Sequence, residues 1–195
     1  MYLKRKIDIF LDEWKNDKNH KPLIVKGARQ IGKTEAIKHF AESYENVVEI
    51  NFYEEPKYKV ICSDGYSVED ICKNISRIDP TKKFIPNKTL IFFDEITDYP
   101  EIATSLKFFS IDGRYDVICS GSLLGTNYRR IESNSVGYKT DYRMYSMDFE
   151  EFLWAKGYGS GEIDNIFSHM KKLKPFSDTE LQVYCSLFYD FSILG

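Results

Sequence analysis

The chain has 195 residues, of which 43% are hydrophobic and 29% charged, with a formal net charge of -3; this suits one well-buried domain with a small appendage and excludes a disordered chain. With a mean hydropathy of -0.41 and a pI near 5.7, it lacks the overall basic footprint of a nucleic-acid binder. No run approaches the roughly 18 apolar residues of a membrane span, and charges stand among the first residues where a secretory leader is apolar, so a cytoplasmic protein without membrane association is expected.

Ile7, Phe10, Leu11 and Trp14 recur at helical spacing and predict an opening amphipathic helix. The basic cluster Lys4-Arg5-Lys6 ahead of them, like Arg129-Arg130 and Lys171-Lys172, reads as a solvated surface. Leu23-Ile24-Val25 is a short apolar run leading into glycines, and 34–44 then reads as a helix, giving strand, loop, helix. Apolar runs at 47–52, 90–93 and 115–119 repeat the pattern between helical stretches, the signature of βαβ units, and a less apolar run at 142–147 suits a sheet edge. The expected fold class is therefore α/β, a mainly parallel five-stranded sheet flanked by helices.

From Asp148 the pattern turns helical. Asp148 with Glu151 matches a capping box, which makes these acids caps and not catalysts. Gly157, Gly159 and Gly161 mark a flexible joint, followed by helical segments at 163–173 and 177–190. The expected division is 1–156 and a helical extension at 157–195. That extension is apolar nearly all round, through Leu181, Val183, Tyr184, Leu187, Phe188, Phe191, Ile193 and Leu194, which calls for a cover and suggests the start of a further C-terminal region. Cys62, Cys72, Cys119 and Cys185 show no paired spacing and His20, His39 and His169 stand singly, so reduced thiols are expected and no zinc site.

The chemistry begins at Gly27-Ala28-Arg29-Gln30-Ile31-Gly32-Lys33-Thr34, which fills every fixed position of G-x-x-x-x-G-K-[ST]. Glycines at both ends let the backbone curl so that N–H groups face inward, and the following helix points its positive end at the same place, so phosphate is the natural guest. Lys33 is placed for the β/γ-phosphate oxygens and the Thr34 hydroxyl for Mg²⁺. Leu90-Ile91-Phe92-Phe93-Asp94-Glu95 is an apolar strand ending in two carboxylates. A parallel sheet brings Asp94 beside the loop as a second metal-holding residue, and Glu95 is then the candidate base that polarises a water. Val117-Ile118-Cys119-Ser120-Gly121-Ser122 ends in small polar residues, with Ser122 first and Ser120 second as a γ-phosphate sensor. Arg129, Arg130 and Arg143 are candidates for a transition-state arginine supplied by a neighbouring subunit, and Arg29 for holding the loop's shape. Asn87-Lys88-Thr89-Leu90 begins like a guanine motif but lacks its aspartate, which favours ATP over GTP.

On these residues the chain resembles the prokaryotic AAA-type ATPases related to the archaeal ATPase group. The loop matches in its variable positions too, and Phe93-Asp94-Glu95-Ile96, Leu106-Lys107, Ser120-Gly121-Ser122 and Phe149-Glu150-Glu151-Phe152-Leu153 follow as landmarks over about the first 155 residues. The resemblance implies a P-loop NTPase core with the strand order of that class, ATP and Mg²⁺ as cofactors, Glu95 as catalytic glutamate, and a second, C-terminal domain; a homo-oligomer is expected, and a DNA or protein partner engaged through that further domain. Thr97 stands where glutamine is common, and Gly137-Tyr138-Lys139 replaces the usual Gly-Arg, so no arginine role carries over. The expectation is an ATPase whose hydrolysis drives a conformational change in a neighbouring domain or subunit. The alternatives are a nucleotide-gated switch with little turnover and, further off, a small-molecule kinase, which would need an Arg-rich lid.

Overall fold

The computed structural model describes residues 2–122 and 137–194. Among these, helix α1 (Lys6–Asn16) precedes β1 (Leu23–Gly27), α2 (Lys33–Ala41), β2 (Asn46–Asn51), α3 (Val68–Ile78), β3 (Thr89–Asp94), α4 (Ile102–Asp112), β4 (Asp116–Ser122) and β5 (Thr140–Arg143). Helices α5 (Phe149–Ala155), α6 (Ser160–Lys172) and α7 (Asp178–Leu194) follow. The five strands form one parallel sheet in the order β2-β3-β4-β1-β5.

Burial along each strand explains its place. The central strands β3 and β1 are buried at every position and β4 at all but its first, as expected where helices cover both faces of a parallel sheet. The outer strands β2 and β5 alternate between more and less exposed residues. Successive side chains of the central strands divide between two cores, because the period of a strand is two. Leu23, Val25, Leu90, Phe92 and Ile118 join Ile7, Leu11 and Trp14 of α1 and Ala36, Ile37 and Phe40 of α2. Ile24, Ile91, Phe93, Val117 and Cys119 join Ile71 and Ile75 of α3 and Ile102, Leu106 and Phe109 of α4. All five strands run the same way, so the loops at their carboxyl ends gather on one edge.

Three sequence expectations shift. The last strand lies at 140–143, not 142–147: after Met144 donates its N–H to the Lys26 carbonyl at 2.7 Å the chain leaves the ladder, and the buried Met144 belongs to the α1/α2 core. Gly161 lies inside α6 and Gly159 is its N-cap, so within the glycine triplet only Gly157, with φ of 92°, takes a conformation that asks for glycine. Arg5, read as solvated, is 8% exposed. The capping box at Asp148 is present as expected, each residue of the pair bonding the other's backbone N–H.

The apolar C-terminal segment finds part of its cover within the chain. Leu153, Ile163 and Ile166 form a third cluster with Phe149, Trp154, Phe176, Tyr184 and Leu187, and Phe149 packs against Phe188 and Phe191 with ring centres 5.4 and 5.6 Å apart. Leu181, Val183, Tyr189 and Ile193 remain exposed. The four cysteines are free thiols. Among the described residues no helix is long and apolar enough to cross a membrane.

Candidate functional site

The loop at 27–34 leaves β1 and enters α2 at the carboxyl edge of the sheet, and its shape depends on its glycines. Gly32 caps α2 with φ of 89°, a left-handed conformation that side chains disfavour. Gly27 is held for a different reason: a Cβ there would sit 2.6 Å from the Met144 carbonyl oxygen and 2.5 Å from Ile31 Cδ1. Gln30 also takes a left-handed φ of 63°, and the loop curls as an anion-binding turn requires.

Lys33 is 6% exposed and lies across the loop, its Nζ donating to the carbonyls of Gly27 at 3.2 Å and Ala28 at 2.6 Å. Burial pushes its ammonium below the ordinary lysine value, against the opposing pull of Glu95 and Asp94. The lysine is thus a poorly hydrated cation folded back onto its own loop.

Asp94, at the end of β3 and 2% exposed, is where four elements converge. Its Oδ2 accepts from Thr34 Oγ1 at 3.0 Å and from Asn51 Nδ2 at 3.2 Å, and its Oδ1 accepts from the Glu95 N–H at 3.0 Å and from the Ser120 hydroxyl. β2 and β3 pair in a register that sets Asn51 beside Asp94. Two of these partners carry the less obvious signals: Asn51 reads as an ordinary polar strand end, and Ser120 is the second choice of the two serines. Ser122 lies at the last position of β4, paired with Gly27 of β1 and 3% exposed.

Glu95 follows with φ of 53° and ψ of 48°, a left-handed conformation uncommon outside glycine, which turns the chain sharply at the strand end. Its Oε2 is buried with no hydrogen-bond partner. Burial first and the adjacent Asp94 second raise its pKa above the ordinary glutamate value, with Lys33 and Arg29 opposing. A desolvated carboxylate with a free oxygen is a proton acceptor awaiting a donor.

Lys33, Thr34 and Glu95 border a cleft of about 480 Å³ lined also by Arg29, Gln30, Gly32, Glu35, Tyr53 and Asp98, while Asp94, Asn51, Ser120 and Ser122 lie outside its lining. Ala28 and Arg29 are exposed and Ile31 is half-buried; of the three only Arg29 lines the cleft. Arg143 is exposed at the end of edge strand β5, its guanidinium 5.3 Å from the Tyr145 ring; Arg129 and Arg130 lie outside the described residues. The donor set fits Mg²⁺: a threonine hydroxyl and one carboxylate are hard oxygen ligands, few enough to leave room for water and phosphate oxygens. Among the described residues no cluster of three or more His, Cys, Asp or Glu could hold a metal alone.

A family model described as AAA domain matches residues 19–153, which contain all of these groups. Among solved structures the chain is similar to the Walker-type ATPase of Pyrococcus abyssi at 11% identity and a TM-score of 0.49, covering 81% of this chain and 60% of that one. It is similar also to a chain of the Drosophila ORC bound to DNA (13%, TM-score 0.49, 85% and 49% covered) and to C. elegans PCH-2 (12%, TM-score 0.46, 89% and 49% covered). No curated protein matches the chain.

Proposed function

The chain belongs to the AAA domain family, an AAA-type ATPase family, and on that premise we propose that it binds ATP with Mg²⁺ over the loop at 27–34 and hydrolyses it. The observation that supports turnover beyond binding is the pairing at the end of β3: Asp94, oriented by four donors of which the Thr34 hydroxyl is the one Mg²⁺ would engage, stands next to Glu95, whose Oε2 has none. One carboxylate is fixed as a ligand and the other is left to act as a base.

In this reading Lys33 exchanges its two loop carbonyls for β/γ-phosphate oxygens, and the inward N–H groups of residues 27–34 take the remaining phosphate charge. Thr34 and Asp94 hold Mg²⁺, which when bound neutralises charge on the phosphates. Glu95 accepts a proton from the attacking water through its free oxygen. Ser120 and Asn51 keep the Asp94 carboxylate from rotating, and Ser122 is the sensor at the next turn of backbone. The turnover moves the helical extension or a neighbouring domain or subunit. The working division at 156/157 belongs to this proposal, with α5 shared between the parts. So do a cytoplasmic location, a homo-oligomeric assembly and a DNA or protein partner.

The test is a steady-state ATPase assay on wild type and Glu95→Gln, with Mg²⁺ and with a chelator, with and without DNA. Glu95→Gln should keep ATP affinity within about threefold and lose turnover by about 10²–10⁴, the usual worth of a positioned base. Unchanged turnover in that variant would move the base elsewhere. A wild type that binds but does not turn over, under every condition, would favour the switch.

A further inference from the structure

Ahead of α1, a buried arginine joins elements far apart in sequence. The Arg5 guanidinium donates from Nη1 to the Ile31 carbonyl at 3.0 Å and from Nη2 to the Tyr145 carbonyl at 2.9 Å. Its Nε lies 3.1 Å from Glu151 Oε2. The three partners sit in the phosphate loop, the segment between β5 and α5, and the first turn of α5. Arg5 packs against the back of the loop, since a Cβ on Gly32 would meet its Nη1 at 3.6 Å.

Neighbouring residues stitch the same segment to α5. The Lys6 N–H donates to Glu151 Oε1 at 2.7 Å, its Nζ pairs with Asp148 and Glu150 at 2.6 and 2.8 Å, and Lys4 Nζ stands 5.6 Å from the Trp154 ring. Glu151 is 4% exposed, so the Arg5–Glu151 pair is a buried ion pair, which stability alone rarely favours over apolar packing. Its geometry suits another use. A planar, rigid fork that hydrogen-bonds the Ile31 carbonyl of the loop on one side and the Tyr145 carbonyl ahead of α5 on the other, with the Glu151 carboxylate paired to it by charge and not by a hydrogen bond, links the positions of the three.

We propose that Arg5 is a positioning residue that couples nucleotide occupancy of the loop at 27–34 to α5 and the helices behind it. The proposal rests on the ATP-binding reading above. When phosphate draws the loop N–H groups inward, the Ile31 carbonyl reorients, Arg5 follows it, and Glu151 carries the change into α5, whose Phe149 and Phe152 contact α7.

Two variants of the 195-residue chain test this. Arg5→Lys keeps a positive charge opposite Glu151 but loses the fork. Glu151→Gln keeps size and capping ability but loses the charge. The readouts are affinity for a fluorescent ATP analogue at 25 °C and amide hydrogen exchange with and without ATP and Mg²⁺. In wild type, ATP should slow exchange at 27–34 and in α5. In both variants affinity should fall about tenfold, the scale of a coupling free energy between two sites, and α5 should stop responding while 27–34 still does. If the variants melt earlier but keep wild-type affinity and the α5 response, Arg5 is merely structural and the proposal fails; if Arg5→Lys does not fold, Glu151→Gln decides. A wild type that binds ATP with an unresponsive α5 overturns the coupling alone. A wild type that binds no ATP, matching Lys33→Ala, overturns the binding reading and the coupling with it.

Discussion

Lys33 and Gly27 stand six residues apart in one loop, yet their substitutions should fail in different ways. Among the described residues Lys33 Nζ donates to two loop carbonyls and sits desolvated, so Lys33→Ala removes a buried cation but also the donor to those carbonyls, and the two opposing effects should leave Tm nearly unchanged. It deletes charge-assisted bonds to phosphate, and ATP affinity should drop by about 100-fold or more, measured by isothermal titration calorimetry. Gly27→Ala puts a methyl against the Met144 carbonyl. Ile31 can swing away, but a backbone carbonyl of the adjoining strand segment cannot. Overpacking of this kind costs about 1–3 kcal/mol, which for a chain of this size lowers Tm by roughly 2–12 °C; a Tm equal to wild type by differential scanning fluorimetry would contradict the close approach. At this scale the sequence showed the residues whose chemistry is local. The loop and the Asp94-Glu95 pair are contiguous, so spacing alone exposes them. Asn51 and Arg5 act through partners 43 and 140 residues away, which no spacing rule reaches without the strand register, and Ser120, named as the second sensor candidate, bonds Asp94 26 residues away instead.

The elements meet a second polar cluster at the opposite, amino-terminal edge of the sheet. His20, in the turn before β1, bonds Asp116 at the start of β4 through Nε2 at 2.9 Å, and Tyr44, past the end of α2, donates to the other Asp116 oxygen at 2.6 Å. The bond to Asp116 raises the His20 pKa above its ordinary 6.5, although burial opposes it. Burial alone would raise Asp116, but the bonds from His20 and Tyr44 bring it below its ordinary 3.8. A raised histidine stabilises fully below its unfolded value and loses that contribution as pH climbs through the folded one; a lowered aspartate loses its contribution as pH falls through its folded value. Wild type should therefore lose stability from about pH 6.5 upward, by about 1 kcal/mol for this partly exposed pair. In His20→Asn the same interval should be flat, as read from urea midpoints across pH 5 to 9, and a parallel decline in the variant would assign the slope to other groups. The elements carrying this cluster were legible because apolar runs alternate with helical periodicity. The edge strand was displaced because Met144 and Met147 imitate strand residues, while its first two members, Thr140 and Asp141, are polar and read as loop.

Across the whole molecule, the sheet's central strands feed cores on both faces, so β1, β3 and β4 cannot lose one core without disturbing the other. The helices α5, α6 and α7 share a third cluster that includes none of those strand residues. Composition could foretell that the last helix needs a cover, but not that Phe149 and Phe152 of α5 would supply part of it, because that match depends on how α7 folds back. This arrangement predicts two cooperative units joined by the ties between residues 4–6 and α5. Phe149→Ala removes a ring that contacts Phe152, Phe188 and Phe191. Being only partly buried, it should cost less than the roughly 3–5 kcal/mol of a fully buried phenylalanine. A loss of about 2 kcal/mol confined to the extension would speed amide exchange in α6 and α7 by about thirtyfold. Exchange in β1, β3 and β4, governed by opening of the sheet, should stay at the wild-type rate, and ATP affinity should hold within about threefold, since Phe149→Ala leaves the Arg5–Glu151 tie to the phosphate loop in place. Equal acceleration across strands and C-terminal helices would instead mean that the chain opens as one unit, and the division between nucleotide-binding sheet and helical extension would have no thermodynamic basis.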